Sequence, residues 1–161
     1  MQLLINQIRE QFPSITFRAD KRFYWSPETG EVAYNHSAHG DTATWALLHE
    51  TSHALLGHST YSNDFQLLEM EVAAWEHAKS LAKKFRLSAM DENHIQDCLD
   101  TYRDWLHKRC LCPKCGIRSF QQNAYSYSCH NCTASWKVTP SRFCRAYRLS
   151  SGSETLSSVS Y

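Results

Sequence analysis

Four cysteines near the end of the chain set the strongest limit on what it can fold into. They form two C-x₂-C pairs separated by 13 residues: Cys112 with Cys115, then Cys129 with Cys132. This spacing is typical of a zinc ribbon, in which each pair lies on a tight turn and strands rich in aromatic residues run between the turns. Because four thiolates fill the coordination sphere, the sequence predicts a structural zinc ion that lets a short segment fold without a large core.

The number of cysteines and their two C-x₂-C pairs indicate metal thiolates in a reducing compartment. The chain has seven cysteines, an odd number that argues against a disulfide framework. Cys110 and Cys144 fall outside the zinc pattern, and Cys98 is expected to be a small core residue of a helix. No apolar run approaches the roughly 18 residues of a membrane span, and the first residues lack a signal-peptide pattern. We therefore expect a cytoplasmic protein with no membrane segment.

Charge is distributed unevenly along the sequence. Residues 1–100 carry 8 Lys and Arg against 14 Asp and Glu, a net charge of −6, whereas residues 101–148 carry 9 against 1, a net charge of +8. The two halves are therefore expected to be different modules. The run SWKVTPSRFCRAYR, residues 135–148, alternates basic and aromatic side chains. This composition suits contact with nucleic acid, and equally a solvated basic face or a protein contact.

Hydrophobic periodicity and turn residues predict an α+β body. Residues 2–12 have helical spacing, and the segment SITFRADKRFYWSPETGEVAYN predicts a small antiparallel hairpin sheet. Three further helices are predicted from caps and apolar spacing. They run from Asp41 or Thr42 to Gly57, from Asn63 or Asp64 to near Phe85, and from the SAMD capping box to about His107.

The length of 161 residues suits one main domain with room for a small appendage. We expect one α+β domain over residues 1–107 and a zinc ribbon with its basic and aromatic extension over 108–148. The Ser-rich residues 149–161 have little to bury and are expected to be disordered. The oligomeric state does not follow from the sequence.

The stretch LLHETSHALLGHS contains the pattern H-E-x-x-H within an amphipathic helix. On a helix, His49 and His53 lie four residues apart on one face, where both imidazoles can hold one Zn²⁺. Glu50 then faces the open coordination position, where it can act as the general base of a hydrolysis. The alternative is a set of ordinary polar residues on the solvent face of the helix.

A catalytic zinc site needs a third protein ligand, and a helical wheel of the next helix selects one. With Leu67 at 0°, Glu71 falls at about 40°, in the middle of the apolar stripe, whereas Glu69 and Glu76 fall near 200° and 180° on the opposite face. An unpaired carboxylate buried there would cost several kcal/mol, which favours Glu71 as the metal ligand. The stripe comprises Leu67, Leu68, Val72, Ala74, Trp75, Ala78, Leu81, Ala82 and Phe85.

Two alternatives to this ligand set stay open. Glu71 can instead form a salt bridge inside the fold, since charges are rarely buried without a partner. His58, nine residues after His49, is the second candidate for the third ligand. It can also line the cleft or stabilise a reaction intermediate.

Two runs, EVAYNHSAHGDTATWALLHETSHALLGH and LLEMEVAAWEHAKSLA, resemble the ImmA/IrrE-like zincin metallopeptidases. In that family a strand, an HExxH helix and a second helix with a Glu ahead of small and aromatic residues build the site. Members often act on regulatory proteins such as repressors. The resemblance covers about residues 1–87 and implies His49, His53 and Glu71 as zinc ligands and Glu50 as base.

The cysteine pairs depart from the best-known members of that family, which also carry a helix-turn-helix domain that this sequence does not show. In its cysteines the chain is similar to SprT-like proteases, which join an HExxH domain to a C-terminal zinc ribbon and act on proteins at DNA. That family usually takes its third ligand from a histidine, so this second resemblance favours His58.

The sequence thus predicts that residues 1–107 form a zincin-like metallopeptidase domain, and that the chain is a zinc metallopeptidase with one catalytic and one structural zinc ion. Its substrate is expected to be a protein or peptide, and the resemblances suggest a regulatory or nucleic-acid-associated protein. The alternative is a binding or adaptor module whose HExxH site holds metal without chemistry and which contacts nucleic acid or a protein partner. Glu50 favours the enzyme, because a purely structural site has no use for a carboxylate at that position.

Overall fold

A computed structural model describes residues 1–139 and 149–150. The protein is α+β, with four helices and two small sheets in these residues. The chain forms two compact units: residues 1–60 and 69–96 make the first, and residues 61–68 make the second together with the described residues from 97 onward. No helix in the described part of the chain is both long and apolar enough to cross a membrane.

The helices and strands follow the predicted order closely. The first sheet and its neighbouring helices comprise α1 (Gln2–Gln11), β1 (Thr16–Asp20), β2 (Tyr24–Ser26), β3 (Glu31–Asn35) and α2 (Asp41–Leu55). Two long helices, α3 (Asp64–Lys84) and α4 (Glu92–Cys110), contribute residues to both units. The second sheet comprises β4 (Phe120–Asn123), β5 (Ser126–Ser128), β6 (Ser135–Lys137) and β7 (Leu149–Ser150).

The first sheet has the strand order β1-β3-β2, and β1 pairs with β3 in parallel. Only β2 and β3 form the antiparallel hairpin that the turn residues predict, so the predicted antiparallel arrangement is wrong for β1. Burial places β3 in the centre, because its Val32 and Ala33 are fully buried whereas Phe17 is the one buried residue of β1. The chain reverses direction between β1 and β2 and again between β2 and β3, so β1 and β3 run the same way and pair in parallel. The strand with the most apolar surface to cover takes the central position, between two neighbours.

The end of α2 is fixed by a glycine. Gly57 has a φ of 66°, which a residue without a Cβ adopts at little cost. Its N–H donates to the carbonyl of Ala54 at 3.2 Å, and the N–H of His58 donates to the carbonyl of His53 at 3.0 Å. These two bonds are those of a Schellman motif. The cap therefore folds His58 back towards the last turn of the helix instead of letting the chain run on.

The second unit is built around the four cysteines. Each C-x₂-C pair is followed by a residue in the left-handed conformation, Gly116 (φ 71°) after the first pair and Thr133 (φ 59°) after the second. The sheet has the order β4-β5-β6-β7, and its strands pair antiparallel. The core is small and consists of Cys112, Tyr127, Cys129, Trp136 and Val138. A core of this size needs a further source of stability.

A buried ion pair ties the start of α3 into this unit. Asp64 and Arg109 are each 1% exposed, and the guanidinium donates from Nε to Oδ2 at 2.6 Å and from Nη2 to Oδ1 at 3.2 Å. The Tyr127 hydroxyl donates to the same Oδ2 at 2.6 Å. Burial and this bond raise the pKa of Tyr127. All parts of the carboxylate are thus satisfied, and Asp64 acts as a structural anchor.

Some predictions for the C-terminal region fall on residues that the structure does not describe. The basic and aromatic extension is described as far as Thr139, and its residues 140–148, with Cys144, lie outside the described residues. Leu149–Ser150 form β7, and residues 151–161 of the predicted disordered tail also lie outside. The predicted domain boundary near residue 107 stays a prediction.

Replacing Arg109 by Met should destabilise the second unit by about 3–5 kcal/mol, because it leaves the Asp64 carboxylate buried without its cation. The matched control is Arg103→Met, which removes an exposed pair with Asp100 and should cost less than about 1 kcal/mol. Amide hydrogen exchange in β5 and β6 measures the free energy of opening of this unit. Equal losses in the two variants would show that the buried pair has no special role.

Candidate metal centres

Two histidines from α2 and one glutamate from α3 converge at a buried point of the first unit. His49 and His53 lie one turn apart, and their Nε2 atoms are 3.1 Å from each other. Oε2 of Glu71 lies 3.1 Å from Nε2 of His49 and 3.5 Å from Nε2 of His53. All three residues are buried. The structure thus brings together the three residues that the HExxH pattern and the wheel select.

These donors fit a metal ion of the zinc type. Two ligand atoms about 2.05 Å from a tetrahedral zinc ion lie about 3.3 Å apart, which matches separations of 3.1, 3.1 and 3.5 Å. Two imidazoles and one carboxylate are also a usual donor set for zinc. Three protein ligands leave one tetrahedral position open, as in catalytic sites. The group can therefore bind a metal ion and still accept a further ligand.

The electrostatics favour the ionised, metal-binding form of Glu71. Burial raises the pKa of its carboxyl, but hydrogen bonds with His49 and His53 outweigh burial and lower it to about 2. The same contacts are an ion pair within the fold if a histidine is protonated, so the predicted salt bridge and the predicted metal site use the same atoms. At neutral pH the carboxylate is available as a ligand.

Glu50 lies on α2 beside His49 but is not one of the three converging donors. Its side chain is half-buried, and Oε2 accepts a hydrogen bond of 2.8 Å from the backbone N–H of Trp25. Trp25 belongs to β2, an edge strand of the first sheet. A strand of the sheet therefore holds the Glu50 carboxylate, and this carboxylate does not lie at the point where the atoms of His49, His53 and Glu71 converge.

His58 does not join the ligand group either. Its Nδ1 lies 2.8 Å from Nδ1 of His53, and the described ligand group consists of His49, His53 and Glu71 without it. Burial and the neighbouring His53 lower the pKa of His58. His58 thus contacts the candidate ligand His53 at Nδ1, whereas Glu71 lies near the other nitrogen of that ring, Nε2.

Two tryptophans contact residues of the site, although the sequence-based predictions include neither contact. Trp75 stacks on His49, with ring centroids 4.2 Å apart, and His94 meets the same indole edge-on at 6.0 Å. Trp75 follows Glu71 by one turn on the apolar stripe, and this spacing predicts that its ring lies beside the candidate ligands. Trp25 holds Glu50 through its backbone, and no local pattern reveals a contact between residues 25 positions apart.

The second candidate centre consists of the four cysteines of the ribbon pattern. Sγ of Cys112 lies 3.5 Å from Sγ of Cys132, and Sγ of Cys115 lies 3.5 Å from Sγ of Cys129. Thiolates about 2.3 Å from a tetrahedral zinc ion lie about 3.8 Å apart, so the cluster is compatible with a zinc ribbon. His130, between the cysteines of the second pair, is exposed.

Neighbouring thiols of this cluster hinder one another's ionisation. The backbone N–H of Cys132 lowers the pKa of Cys129 to about 5. The backbone N–H of Ala134 lowers the pKa of Cys132, but burial and hydrogen bonds to the other three thiols outweigh it and raise it to about 12. One thiolate thus opposes the formation of the next. A bound cation removes this conflict.

Most basic side chains in the described part of the second unit are exposed. Arg109 is neutralised by Asp64, and Arg103 pairs with Asp100. The other basic residues between 101 and 139 are exposed: Lys108, Lys114, Arg118 and Lys137. Contact with nucleic acid stays a prediction.

No protein-family model, curated protein or solved structure matches this chain. The resemblances to ImmA/IrrE-like and SprT-like proteases therefore stay inferences from short motifs. The function proposed below rests on the side-chain geometry of the first unit.

Replacing Glu71 by Gln should weaken zinc binding at the first centre by at least about 100-fold, more than the loss of a supporting residue costs. The amide keeps the shape but not the charge of the ligand. Glu76→Gln is the control, since that exposed carboxylate pairs with Lys79 on the opposite face. Metal content and chelator competition measure the effect. Equal zinc retention in both variants would remove Glu71 from the ligand set.

Replacing Cys115 by Ser should lower the zinc content from about two ions per chain to about one, because a closed four-thiolate site depends on every ligand. Amide protection in β5 and β6 should fall with it. Cys98→Ser, which changes a half-buried thiol of α4 outside the cluster, should leave both readouts unchanged. Full zinc content in the Cys115 variant would contradict a four-cysteine zinc site.

Proposed function

We propose that this protein is a zinc-dependent metallopeptidase that hydrolyses peptide bonds of a protein substrate. His49, His53 and Glu71 would hold the catalytic zinc ion, and Glu50 would act as general acid and base. The four cysteines would hold a second, structural zinc ion. The donor sets support this division, since the first centre has three protein donors and the second has four.

The position of Glu50 is the observation that carries the proposal. It lies one residue from a ligand, yet the ligand group forms without it. A half-buried carboxylate is costly to keep next to a site that only holds metal, whereas a hydrolytic site needs a proton acceptor there. The bond from Trp25 fixes the orientation of this carboxylate before substrate arrives.

The chemistry divides between the metal and the side chains. When bound, zinc supplies a Lewis acid that polarises the peptide carbonyl and lowers the pKa of water to about 7. Glu50 accepts the proton of the attacking water on its carboxylate and returns it to the leaving amine. His49, His53 and Glu71 hold their positions by packing in the core of the first unit. The alternative, a module that binds without chemistry, requires nothing of Glu50.

Replacing Glu50 by Gln should lower peptide hydrolysis by at least about 100-fold while the zinc content stays unchanged, because the side chain is the base and not a ligand. Glu69→Gln, on the exposed face of α3, should keep full activity. New protein N-termini in a cell extract, quantified by mass spectrometry after incubation with each variant, measure cleavage without knowledge of the substrate. If wild type and Glu50→Gln are equally inert on extract and on a peptide library, the binding module becomes the better interpretation.

A further inference from the structure

We propose that His58 is a positioning residue that sets the tautomer of the zinc ligand His53. This inference rests on the proposed zinc site and adds a component to it. The role differs from the three that the sequence suggests for His58, which are a third zinc ligand, a residue that lines the cleft and a group that stabilises a reaction intermediate. It follows from three contacts of His58 and from the chemistry of the imidazole ring.

Two hydrogen bonds fix the backbone of His58, one at its N–H and one at its carbonyl. Its N–H donates to the carbonyl of His53 at 3.0 Å in the cap that Gly57 permits. Its carbonyl accepts a hydrogen bond of 2.6 Å from the indole Nε1–H of Trp25. A residue just after a helix ordinarily has freedom to move, but here two bonds fix it. These two bonds place the ring of His58 at a defined position beside the last turn of α2.

The ring contact joins specific atoms. Nδ1 of His58 lies 2.8 Å from Nδ1 of His53, and the two rings meet edge to face with their centroids 4.9 Å apart. The other nitrogen of His53, Nε2, lies 3.1 Å from Nε2 of His49 and 3.5 Å from Oε2 of Glu71. The two nitrogens of His53 thus have separate partners, one towards the ligand group and one towards His58.

Imidazole chemistry then assigns the protons. A neutral ring has one N–H donor and one lone pair. Binding of metal at Nε2 of His53 uses the lone pair there and places the proton on Nδ1. Nδ1 of His58 must accept that hydrogen bond, so His58 carries its own proton on Nε2. Ligating histidines commonly donate their second N–H to an acceptor that fixes the ring, and here the acceptor is a second imidazole.

This assignment also explains why His58 is not a ligand. The lone pair on its Nδ1 is used by His53, and its Nε2 carries the proton. The other ligand, His49, has a different support: its Nδ1 is buried without a hydrogen-bond partner in the described residues, and its ring is stacked on Trp75. The orientation of His53 is thus the one that depends on a hydrogen bond to a replaceable side chain.

The first test reads the tautomers directly. In the zinc-loaded, full-length wild type, ¹⁵N-labelled histidine side chains give long-range ¹H–¹⁵N correlations that distinguish a protonated Nδ1 from a protonated Nε2. We expect the proton of His53 on Nδ1 and that of His58 on Nε2. A zinc-loaded protein with the His53 proton on Nε2 overturns the proposal. This measurement needs no variant and so does not depend on whether a variant folds.

The second test measures zinc affinity by chelator competition in matched variants. His58→Leu removes the acceptor and should weaken binding at the first centre by about 10–100-fold, the usual cost of losing a supporting partner. His58→Asn places an amide oxygen close to the position of Nδ1 and should restore most of the affinity. His77→Leu is the control, since this half-buried histidine contacts Ser52 of α2 at 3.1 Å and no ligand; its affinity should match wild type.

The outcomes separate this proposal from the proposed function. Wild-type affinity in His58→Leu overturns the positioning role. Loss of the zinc ion from His58→Leu even at saturating zinc, with retention in Glu71→Gln, makes His58 a ligand and overturns it as well. A wild type that binds zinc with the expected tautomers but hydrolyses nothing supports the positioning role while the enzymatic function fails.

Discussion

The burial of the Glu71 carboxylate is the interaction on which the first centre depends. Glu71 is 3% exposed, and removing an ionised carboxylate from water costs several kcal/mol unless partners replace the water. The partners are His49 and His53, so the polar face of α2 must meet the apolar stripe of α3 at this point. Ala74 and Ala78, on the same stripe as Glu71, have no exposed surface.

The sequence predicts this arrangement because it depends on helical periodicity. Glu71 is buried and Glu69 and Glu76 are exposed, as their wheel angles require. The one clear failure on the stripe is Val72, which is 38% exposed. It lies about 100° from the centre of the stripe, at its rim, where side-chain type alone does not decide burial. At the edge of a helix face, the wheel angle of a residue therefore predicts its burial better than its hydrophobicity does.

Contacts between distant segments are what the sequence does not predict. The parallel pairing of β1 with β3, the bond from the Trp25 backbone to Glu50 and the bond from its indole to His58 all link segments separated by turns. Local spacing has no signal for them, because each depends on how the sheet is assembled. The sequence thus predicts the three candidate ligands, which share two helices, but not these contacts between distant segments.

Asp64 shows why a buried carboxylate on a wheel is not enough to identify a metal ligand. It lies at about 60° on the same wheel as Glu71, and it is equally buried, although the sequence suggests only a helix cap there. Its partner is the guanidinium of Arg109, which is always charged, so the pair is electrically complete. The partners of Glu71 are imidazoles, which are cationic only when protonated. A neutral imidazole can donate a hydrogen bond to the carboxylate but brings no positive charge, so the negative charge of Glu71 stays uncompensated, and a divalent cation bound by all three side chains would neutralise it.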